Sequence, residues 1–404
     1  MIRMRCIFGI DVSSKSCNVA VAVNKHLVEE LKLSLDAIGF NQLKVALDVY
    51  TDPEVVFEAT GVYSRRLERF LTDNGYHFIR LNPLQARIEL TSFRYNKTDV
   101  NDAQNLALSS FDHKRQLTTP TARVYQDLRD LNRFYQNVNE DVVRLKNRLH
   151  KVLQLTFPEL EQILSTTDGE FYWQIVDHYA HPTLVSSEDQ TQIIAFLASI
   201  SKKKVTSTYL QRIAQRLTAL SHQAFPAVAI DSPKVMEIRY YAQQLIHGHQ
   251  QKAELIEQMV TIAKELPEFR NLVSIPGFGE NTVVTLIAEF GDIRRFKSSN
   301  AMNAFVGIDF RHYESGKFVA KDTISKRGNA IARKILYKAV LNCVIASHYH
   351  PNHIGDFYRE RKKQSSSPQT KKIAIGAIHR LIRTMYHLVK NDQLYDYTKV
   401  HVDR

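Results

Sequence analysis

The sequence lacks several features that define large protein classes. Its 404 residues include one tryptophan and only three cysteines, Cys6, Cys17 and Cys343. Three widely separated cysteines form neither a disulfide framework nor a zinc-binding pattern. No apolar run approaches the roughly 20 residues that cross a membrane, and the N-terminus shows no secretory signal. We therefore expect a cytoplasmic protein.

The composition is otherwise that of a globular protein, with 44% hydrophobic and 24% charged residues. At this length we expect two or three domains, each with its own core. The net charge of +12 is unevenly placed, because residues 311–404 contain 19 Lys and Arg against 7 Asp and Glu, whereas residues 1–310 contain 35 of each. This basic C-terminal quarter predicts contact with a phosphate backbone, and the alternative is a basic surface that serves solubility.

Two acidic residues end apolar segments near the N-terminus. The run from Cys6 to Asp11 is followed by small polar residues and by a second apolar run, Asn18 to Val23, which together predict a β-hairpin. The segment from Glu54 to Gly61 has the composition of a buried strand, and Glu58 lies near its end. Both Asp11 and Glu58 are therefore predicted at strand ends.

Two further acids lie at the start of a predicted helix. A strand is predicted over Tyr76 to Leu81, followed by a helix from Leu84. A new helix then begins near Lys97, with Thr98 or Asp99 as its N-cap. Asp99 and Asp102 are three positions apart, so both carboxylates project from one helix face.

These four carboxylates form a candidate Mg²⁺ site. Mg²⁺ is usually held by a few carboxylates together with substrate phosphates, and two ions roughly 4 Å apart can clamp the attacking and leaving oxygens of a phosphoryl transfer. The alternative is that they are ordinary capping or surface acids, since the chain has 42 acidic residues. Burying an unpaired carboxylate at a strand end is costly, which favours a functional role.

The middle of the chain is predicted to be helical. From Val124 to Val152, apolar residues recur at spacings that alternate between four and three, and Pro158 is expected to end this helix. A second helix is predicted over about 233–266, and the two helices either pair within one chain or associate across a dimer. The segment at about 160–230, which includes Trp173, carries no chemical signal. The heptad positions of the first helix are Val124, Leu128, Leu131, Tyr135, Val138, Val142, Leu145, Leu149 and Val152.

Phosphate contacts are predicted at a turn that contains Gly277 and Gly279. This Pro-Gly-Phe-Gly turn follows an apolar segment and precedes a helix, and backbone N–H groups in such a turn can approach phosphate. The pattern resembles the hairpin of a helix-hairpin-helix DNA-binding element, although the same turn is also a common structural connection.

Ser315 lies in a cationic segment that precedes a helix predicted from Ala330 to Ile345. Such a setting can stabilise an alkoxide and the charge that develops on an attacked phosphate. Ser325 is the alternative nucleophile, and a Ser-Gly turn is also common without any catalytic role. The residues predicted to contact nucleic acid here are Arg311, Lys317, Lys321, Lys326, Arg327 and Asn329.

These motifs together resemble the DEDD-type insertion-sequence transposases, also described as bridge-RNA-guided recombinases, and their Piv-type DNA invertase relatives. The resemblance covers both ends of the chain, and the 160–230 segment has no counterpart in it. The matching motifs are Gly-Ile-Asp11, Phe-Glu58-Ala-Thr-Gly, Lys97-Thr-Asp99-Val-Asn-Asp102-Ala, Ile-Pro-Gly-Phe-Gly279, Glu-Ser315-Gly-Lys and Ile-Ser-Lys-Arg-Gly-Asn329.

The resemblance implies a fold and a domain order. Residues 1–118 are expected to form an α/β, RuvC-like (ribonuclease-H-like) DEDD domain. Residues 119–266 are expected to form long coiled-coil helices with an inserted segment at about 160–230. Residues 267–404 are expected to form a mostly helical transposase domain with the helix-hairpin-helix-like element.

The resemblance also implies a mechanism. Asp11, Glu58, Asp99 and Asp102 are implied to bind Mg²⁺, while Ser315 attacks the DNA and forms a covalent phosphoserine intermediate. The serine is implied to come from another protomer, so the family assembles as dimers that pair into tetramers and act at the nucleoid of prokaryotes. Donor and target DNA are implied to be chosen by base pairing with a guide (bridge) RNA, while the protein holds the backbone.

Two other functional classes are compatible with parts of the sequence. One is a metal-only RuvC-like nuclease or junction resolvase, in which water is the nucleophile and Ser315 is structural. The other is a sugar kinase or related ATPase of the same superfamily, because Gly-Ile-Asp11-Val-Ser-Ser resembles a first phosphate loop. The chain lacks a glycine-rich adenosine-binding motif, which disfavours the kinase.

Overall fold

The structure is a computed structural model. It describes residues 4–83, 86, 99–113, 115–119, 121–201, 205–311, 314–315, 318–319, 323–365 and 370–401. The chain divides into two compact units, with the boundary between Thr121 and Ala122. Within the described ranges, no helix has both the length and the apolar composition that a membrane span requires.

The first unit is built on a five-stranded sheet with the order β3-β2-β1-β4-β5. The first three strands form an antiparallel meander, whereas β4 and β5 run parallel to β1. The predicted hairpin and the two strands predicted after it are confirmed, and Glu58 is the last residue of β4. The strands are β1 (Cys6–Val12), β2 (Ser16–Val23), β3 (His26–Ser34), β4 (Glu54–Glu58) and β5 (His77–Leu81).

Helices cover both faces of this sheet. Helices α1 (Ala37–Asp48) and α2 (Ser64–Asp73) bury their leucines against one face, and α3 (Asp99–Asp112) packs on the other. The side chains of β1 alternate between these two cores, as the period of a strand requires. The helix predicted from Leu84 lies outside the described residues.

The second unit begins with two long helices and four shorter ones between them. Short helices, a 3₁₀ turn and the facing halves of the long helices enclose a core around Trp173. Residues of the 160–230 segment therefore pack in a core that they share with the two long helices. The elements are α4 (Arg123–Thr156), the 3₁₀ turn (Pro158–Gln162), α5 (Glu170–His178), α6 (Pro182–Ser186), α7 (Gln190–Ser199), α8 (Ser207–Gln223) and α9 (Pro233–Ala263).

The heptad stripe of α4 is used within its own chain. Its C-terminal half packs with the start of α9, and its N-terminal half packs with the end of α9, so the two helices are antiparallel. At Gly248 the helices approach so closely that a Cβ would lie 2.8 Å from Val142. Of the two pairings that the sequence left open, the structure has the one within a chain. As predicted, α4 ends just before Pro158.

A second core of this unit lies at the other end of the long helices. It joins the start of α4 and the end of α9 to the C-terminal elements. The predicted α/β unit followed by a mostly helical part is thus confirmed. The C-terminal elements are α10 (Pro267–Val273), α11 (Glu280–Phe290), a 3₁₀ turn (Ile293–Arg295), α12 (Ser299–Val306), β6 (Phe310–Arg311), β7 (Glu314–Ser315), β8 (Phe318–Val319), β9 (Thr323–Ile324), α13 (Ala330–Ala346), α14 (His353–Gln364), α15 (Thr370–Lys390) and a final 3₁₀ turn (Thr398–His401).

Candidate functional site

Asp11 and Glu58 lie at the same end of two neighbouring parallel strands. Ile10 of β1 pairs with Phe57 of β4, and the two acids are the next residue of each strand. Ile7 and Val56 point into the core beneath α3. Because side chains alternate along a strand, Asp11 and Glu58 belong to that same face of the sheet.

Helix α3 brings its first turn to this end of the sheet. A Cβ on Gly9 would lie 2.2 Å from the carbonyl oxygen of Ala103, so helix and strand are in direct backbone contact. Asp102 immediately precedes Ala103. A cavity of about 210 Å³ beside this turn is lined by Val100, Ala103 and Asn18, and Asn18 is the strand partner of Asp11.

Of the four acids predicted to bind metal, the side chains of Asp11, Glu58 and Asp102 are described, and all three are half-buried. The side chain of Asp99 lies outside the described residues, although its backbone begins α3. Burial, together with the negative charge of Asp11, raises the pKa of the Cys17 thiol to about 11. This thiol therefore remains protonated and uncharged near neutral pH.

The donor set suits a hard divalent cation. Carboxylate oxygens are ligands that Mg²⁺ accepts, and they lie at the exposed end of an otherwise apolar sheet face. Among the described side chains, no three His, Cys, Asp or Glu residues are close enough together to hold a metal ion. The chemistry of these carboxylates suits Mg²⁺, and their grouping with Asp99 into one metal site stays a prediction.

Ser315 lies on β7, in the inner of two short antiparallel strand pairs. Strand β6 pairs with β9, and β7 pairs with β8, with Ser315 opposite Phe318. The backbone of Ser315 is therefore placed beside the two-residue connection between β7 and β8. Lys317 and Lys321 lie outside the described residues, as do the side chains of Arg311 and Ser315.

The Ser-Lys-Arg-Gly segment after β9 is anchored to the end of α12. The backbone N–H of Lys326 donates to the carbonyl of Gly307 at 2.9 Å, and Lys326 adopts a left-handed φ of 54°. The Ser325 hydroxyl donates to Asp309 at 2.5 Å. Lys326 and Arg327 are exposed and face solvent. The alternative nucleophile Ser325 is thus held by a carboxylate, whereas its two cationic neighbours are accessible.

Asn329 has two roles within the chain. Its side-chain oxygen accepts from the backbone N–H groups of Ile331 and Ala332, and so caps α13. Its side-chain nitrogen donates to Glu289 at 2.5 Å. The contact of Asn329 with nucleic acid stays a prediction, and the structure adds this capping role.

The two predicted phosphate-binding glycines have different surroundings. Gly277 has a φ of 93°, and a Cβ there would lie 2.7 Å from the backbone of Asn342, so it permits close packing on α13. Gly279 is exposed at the N-cap of α11. The following residue, Glu280, forms an ion pair with Lys264 at 3.0 Å. Helices α10 and α11 flank this turn, and the assignment of the three to a helix-hairpin-helix-like element stays a prediction.

A buried acidic residue that the sequence analysis did not single out connects α4 to this region. Glu289 is fully buried and accepts hydrogen bonds from Asn132 at 2.7 Å, Arg133 at 2.8 Å and Asn329. The signal for it was an acid within the apolar run Thr-Leu-Ile-Ala-Glu-Phe of α11. Because a buried carboxylate must be paired, such an acid predicts donors from neighbouring elements.

Comparison with known proteins identifies relatives along most of the chain. Residues 8–158 match the family model of DEDD transposases of IS110 type, and residues 269–359 match the model of the IS116/IS110/IS902 transposase family. Between them, residues 159–268 are matched by neither model. These two segments contain Asp11, Glu58, Asp99, Asp102 and Ser315.

Three curated proteins are similar to parts of the chain. The transposase for insertion sequence IS1111A of Coxiella burnetii is 32% identical over 23% of this chain and 26% of its own length. The transposase for IS1328 of Yersinia enterocolitica is 22% identical over 82% of this chain and 81% of its own length.

The third is the pilin gene-inverting protein of Moraxella bovis, which is 25% identical over 35% of this chain and 43% of its own length. The matches to the Coxiella and Moraxella proteins thus span less than half of those relatives. The two family models match opposite ends of the chain, and both describe IS110-type transposases. The chain belongs to the IS110-type DEDD transposases.

Proposed function

We propose that this protein is a DNA transposase that cuts and rejoins DNA strands, using Mg²⁺ at the N-terminal carboxylates and Ser315 as nucleophile. The observation that carries the proposal is the position of Asp11, Glu58 and the first turn of α3 at one end of one sheet face. The similarity to a protein named as gene-inverting supports a reaction that rejoins strands.

The topology supports a RuvC-like, ribonuclease-H-like first domain. Three antiparallel strands are followed by two parallel ones, and helices cover both faces. We assign residues 1–118 to this domain, 119–266 to the long-helix region with its insertion at about 160–230, and 267–404 to the transposase domain with Ser315.

The reaction has one covalent intermediate. Ser315 loses its proton as its oxygen bonds to phosphorus, and the bond from phosphorus to the leaving sugar oxygen breaks while that oxygen gains a proton. Mg²⁺ held by Asp11, Glu58, Asp99 and Asp102 would offset the charge that develops on the phosphate. Lys326 and Arg327, both exposed, hold neighbouring phosphates.

A homo-oligomer is part of the proposal. Ser315 and the carboxylates belong to different compact units, so a second protomer can supply the serine to the carboxylates of the first. The heptad stripe of α4 is occupied by α9 and the two cores. In the proposed dimers and tetramers, protomers associate through surfaces other than this stripe.

We also propose that a structured guide RNA selects the donor and target DNA. The exposed side chains of Lys326 and Arg327 are suited to a phosphate backbone, and base pairing with an RNA would then supply the sequence specificity. The test is to purify the protein with its element, sequence the copurified RNA, and change the RNA segments that match donor and target. Strand exchange is expected to move to the newly complementary sites. Unchanged target choice would refute RNA guidance.

A further inference from the structure

A basic groove lies between four helices of the second unit, α4, α9, α11 and α13. We call it the Lys334 groove. It has a volume of about 400 Å³, within the range of about 300–1,000 Å³ that ligand sites occupy. Among the described residues that line it, none is an Asp or a Glu. The residues used below are Tyr135, Asn139, Asn281, Thr282, Lys334 and Lys338.

Its cations are concentrated and lack carboxylate partners. Lys334 and Lys338 lie one turn apart on α13, are exposed, and form no ion pair within the part of the chain that the structure describes. Lys252 of α9 lies over the ring of Tyr135, 5.8 Å from its centroid. Burial and the positive charges of Lys146 and Lys338 lower the pKa of Lys252, and they outweigh the negative charge of Asp168, which also pairs with Lys146 at 2.6 Å. The positive charge that an anion would neutralise in the groove is therefore that of Lys334 and Lys338.

The neutral residues of the groove suit a phosphodiester. Asn139, Asn281 and Thr282 can donate hydrogen bonds to phosphate oxygens, and Asn281 and Thr282 lie in the first turn of α11, where the helix dipole favours an anion. Tyr135 forms an apolar wall on which a sugar or base can pack. A small inorganic anion would leave this wall unused.

The groove also continues the basic surface beside α13. Arg327 is exposed just before the helix, and Lys338 is eleven residues further along. The helical part of this separation, from Ala330 to Lys338, is eight residues, or about 12 Å at 1.5 Å per residue. Phosphates in one strand of B-DNA advance by about 3.4 Å each along the axis, so this part alone corresponds to about three to four phosphates. One strand can contact both positions.

We propose that the Lys334 groove binds the sugar–phosphate backbone of a nucleic-acid strand that continues from the Lys326–Arg327 segment along α13. The inference extends the proposed function, because it assigns a second backbone contact to the same domain. The recognised chemistry is the phosphodiester, and the strand belongs either to DNA or to RNA.

The test is the affinity of the full-length protein for short labelled DNA and RNA strands, measured by fluorescence anisotropy over a range of salt concentrations. Divalent metal is omitted, so no chemistry is required. The variant is Lys334→Glu/Lys338→Glu, and the matched control is Lys362→Glu/Lys363→Glu, which changes two exposed lysines of α14 by the same charge.

We expect the groove variant to lose at least tenfold in affinity for one of the two strand types, whereas the control loses much less. Removing two phosphate contacts should also reduce the salt slope by about 1.4, at about 0.7 for each single-strand contact. The strand type with the larger loss identifies the ligand. Thermal unfolding checks that both variants are folded.

An equal loss in both variants, or no loss in the groove variant, would overturn the inference. Neither result concerns the role of Ser315, because binding is measured without reaction. Conversely, the proposed chemistry would fail if Ser315→Ala still formed a covalent protein–DNA species, and the groove inference would stand. The two failures are therefore distinguishable.

Discussion

Gly9 of β1 and Ala103 of α3 are in direct backbone contact, since a Cβ on Gly9 would lie only 2.2 Å from the Ala103 carbonyl oxygen. Asp11 lies two residues beyond Gly9 on the same sheet face, and Asp102 immediately precedes Ala103. This contact therefore brings the backbone segments that carry two of the proposed metal ligands together. Any side chain at position 9 must push α3 away from the sheet.

Gly9→Ala is expected to destabilise the first unit by about 1–3 kcal/mol, because the added methyl group overpacks a backbone contact. Urea unfolding measures the change, and hydrogen exchange of α3 should increase locally. Gly279→Ala is the control, since a Cβ there meets nothing within 4 Å and its φ is −90°. Equal effects of the two substitutions would contradict the proposed packing role.

The carboxylates are expected to serve chemistry rather than folding. Asp11→Asn, Glu58→Gln and Asp102→Asn should each abolish Mg²⁺-dependent strand exchange while leaving nucleic-acid affinity within a few fold. The reason is that a carboxylate repels phosphate unless a cation lies between them. Exchange assays and anisotropy titrations provide the two readouts, and undiminished exchange in any of the three would refute the metal role of that residue.

Glu289 is expected to be important for the stability of the second unit. Glu289→Ala removes a fully buried carboxylate and leaves Arg133, Asn132 and Asn329 without their acceptor. Because Arg133 is half-exposed and water can solvate its charge, the expected cost is that of the buried donors left unsatisfied, about 1–3 kcal/mol. Calorimetry should show this loss, whereas Glu254→Ala, at an exposed position of α9, should change little. A small effect of Glu289→Ala would contradict the network.

The stability of the second unit is expected to fall in mild acid because of His379. Burial and the positive charge of Arg383 lower the pKa of His379 below 6.5, and these effects outweigh a backbone hydrogen bond with Ile308 and the negative charge of Asp309. As the pH falls below 6.5, the unfolded chain binds a proton that the folded chain does not. Stability is thus full above pH 6.5 and decreases toward the lower, folded-state pKa.

The measurement is the thermal midpoint of the protein and of His379→Gln between pH 8 and pH 5. The difference between the two proteins isolates the histidine from the carboxyl groups that titrate lower. Converted to a free energy of unfolding, this difference should change by no more than about 1.4 kcal/mol per pH unit, the limit for one proton. Parallel midpoints across this range would show that His379 makes no such contribution.

The sequence alone predicted the strands and the helix that carry the carboxylates. Apolar runs that end in Asp11 and Glu58 predicted β1 and β4, because a strand buried on both faces must be apolar until it reaches solvent. The capping residues Thr98 and Asp99 likewise predicted a helix start near Lys97, and α3 begins at Asp99. The contact of Gly9 with Ala103 was not predictable, because it joins segments more than ninety positions apart in the sequence.

Periodicity also left the partner of α4 open. Alternating spacings of four and three describe an apolar stripe, and the same stripe packs equally well on a helix of the same chain or of another. The structure has α9 as the partner, with Gly248 against Val142 at the closest approach. Asn329 in a basic segment indicated a phosphate contact, although the helix predicted from Ala330 already placed Asn329 at an N-cap position, where the structure has it.

The central claim is that Ser315 is the nucleophile, and trapping a covalent protein–DNA species tests it most directly. The protein is incubated with Mg²⁺, its copurified RNA and labelled DNA, and the reaction is stopped with denaturant. A labelled covalent species should form, disappear in Ser315→Ala and persist in Ser325→Ala, because the Ser325 hydroxyl is bonded to Asp309. Strand cleavage by Ser315→Ala without any covalent species would contradict this account and indicate a nuclease in which water attacks.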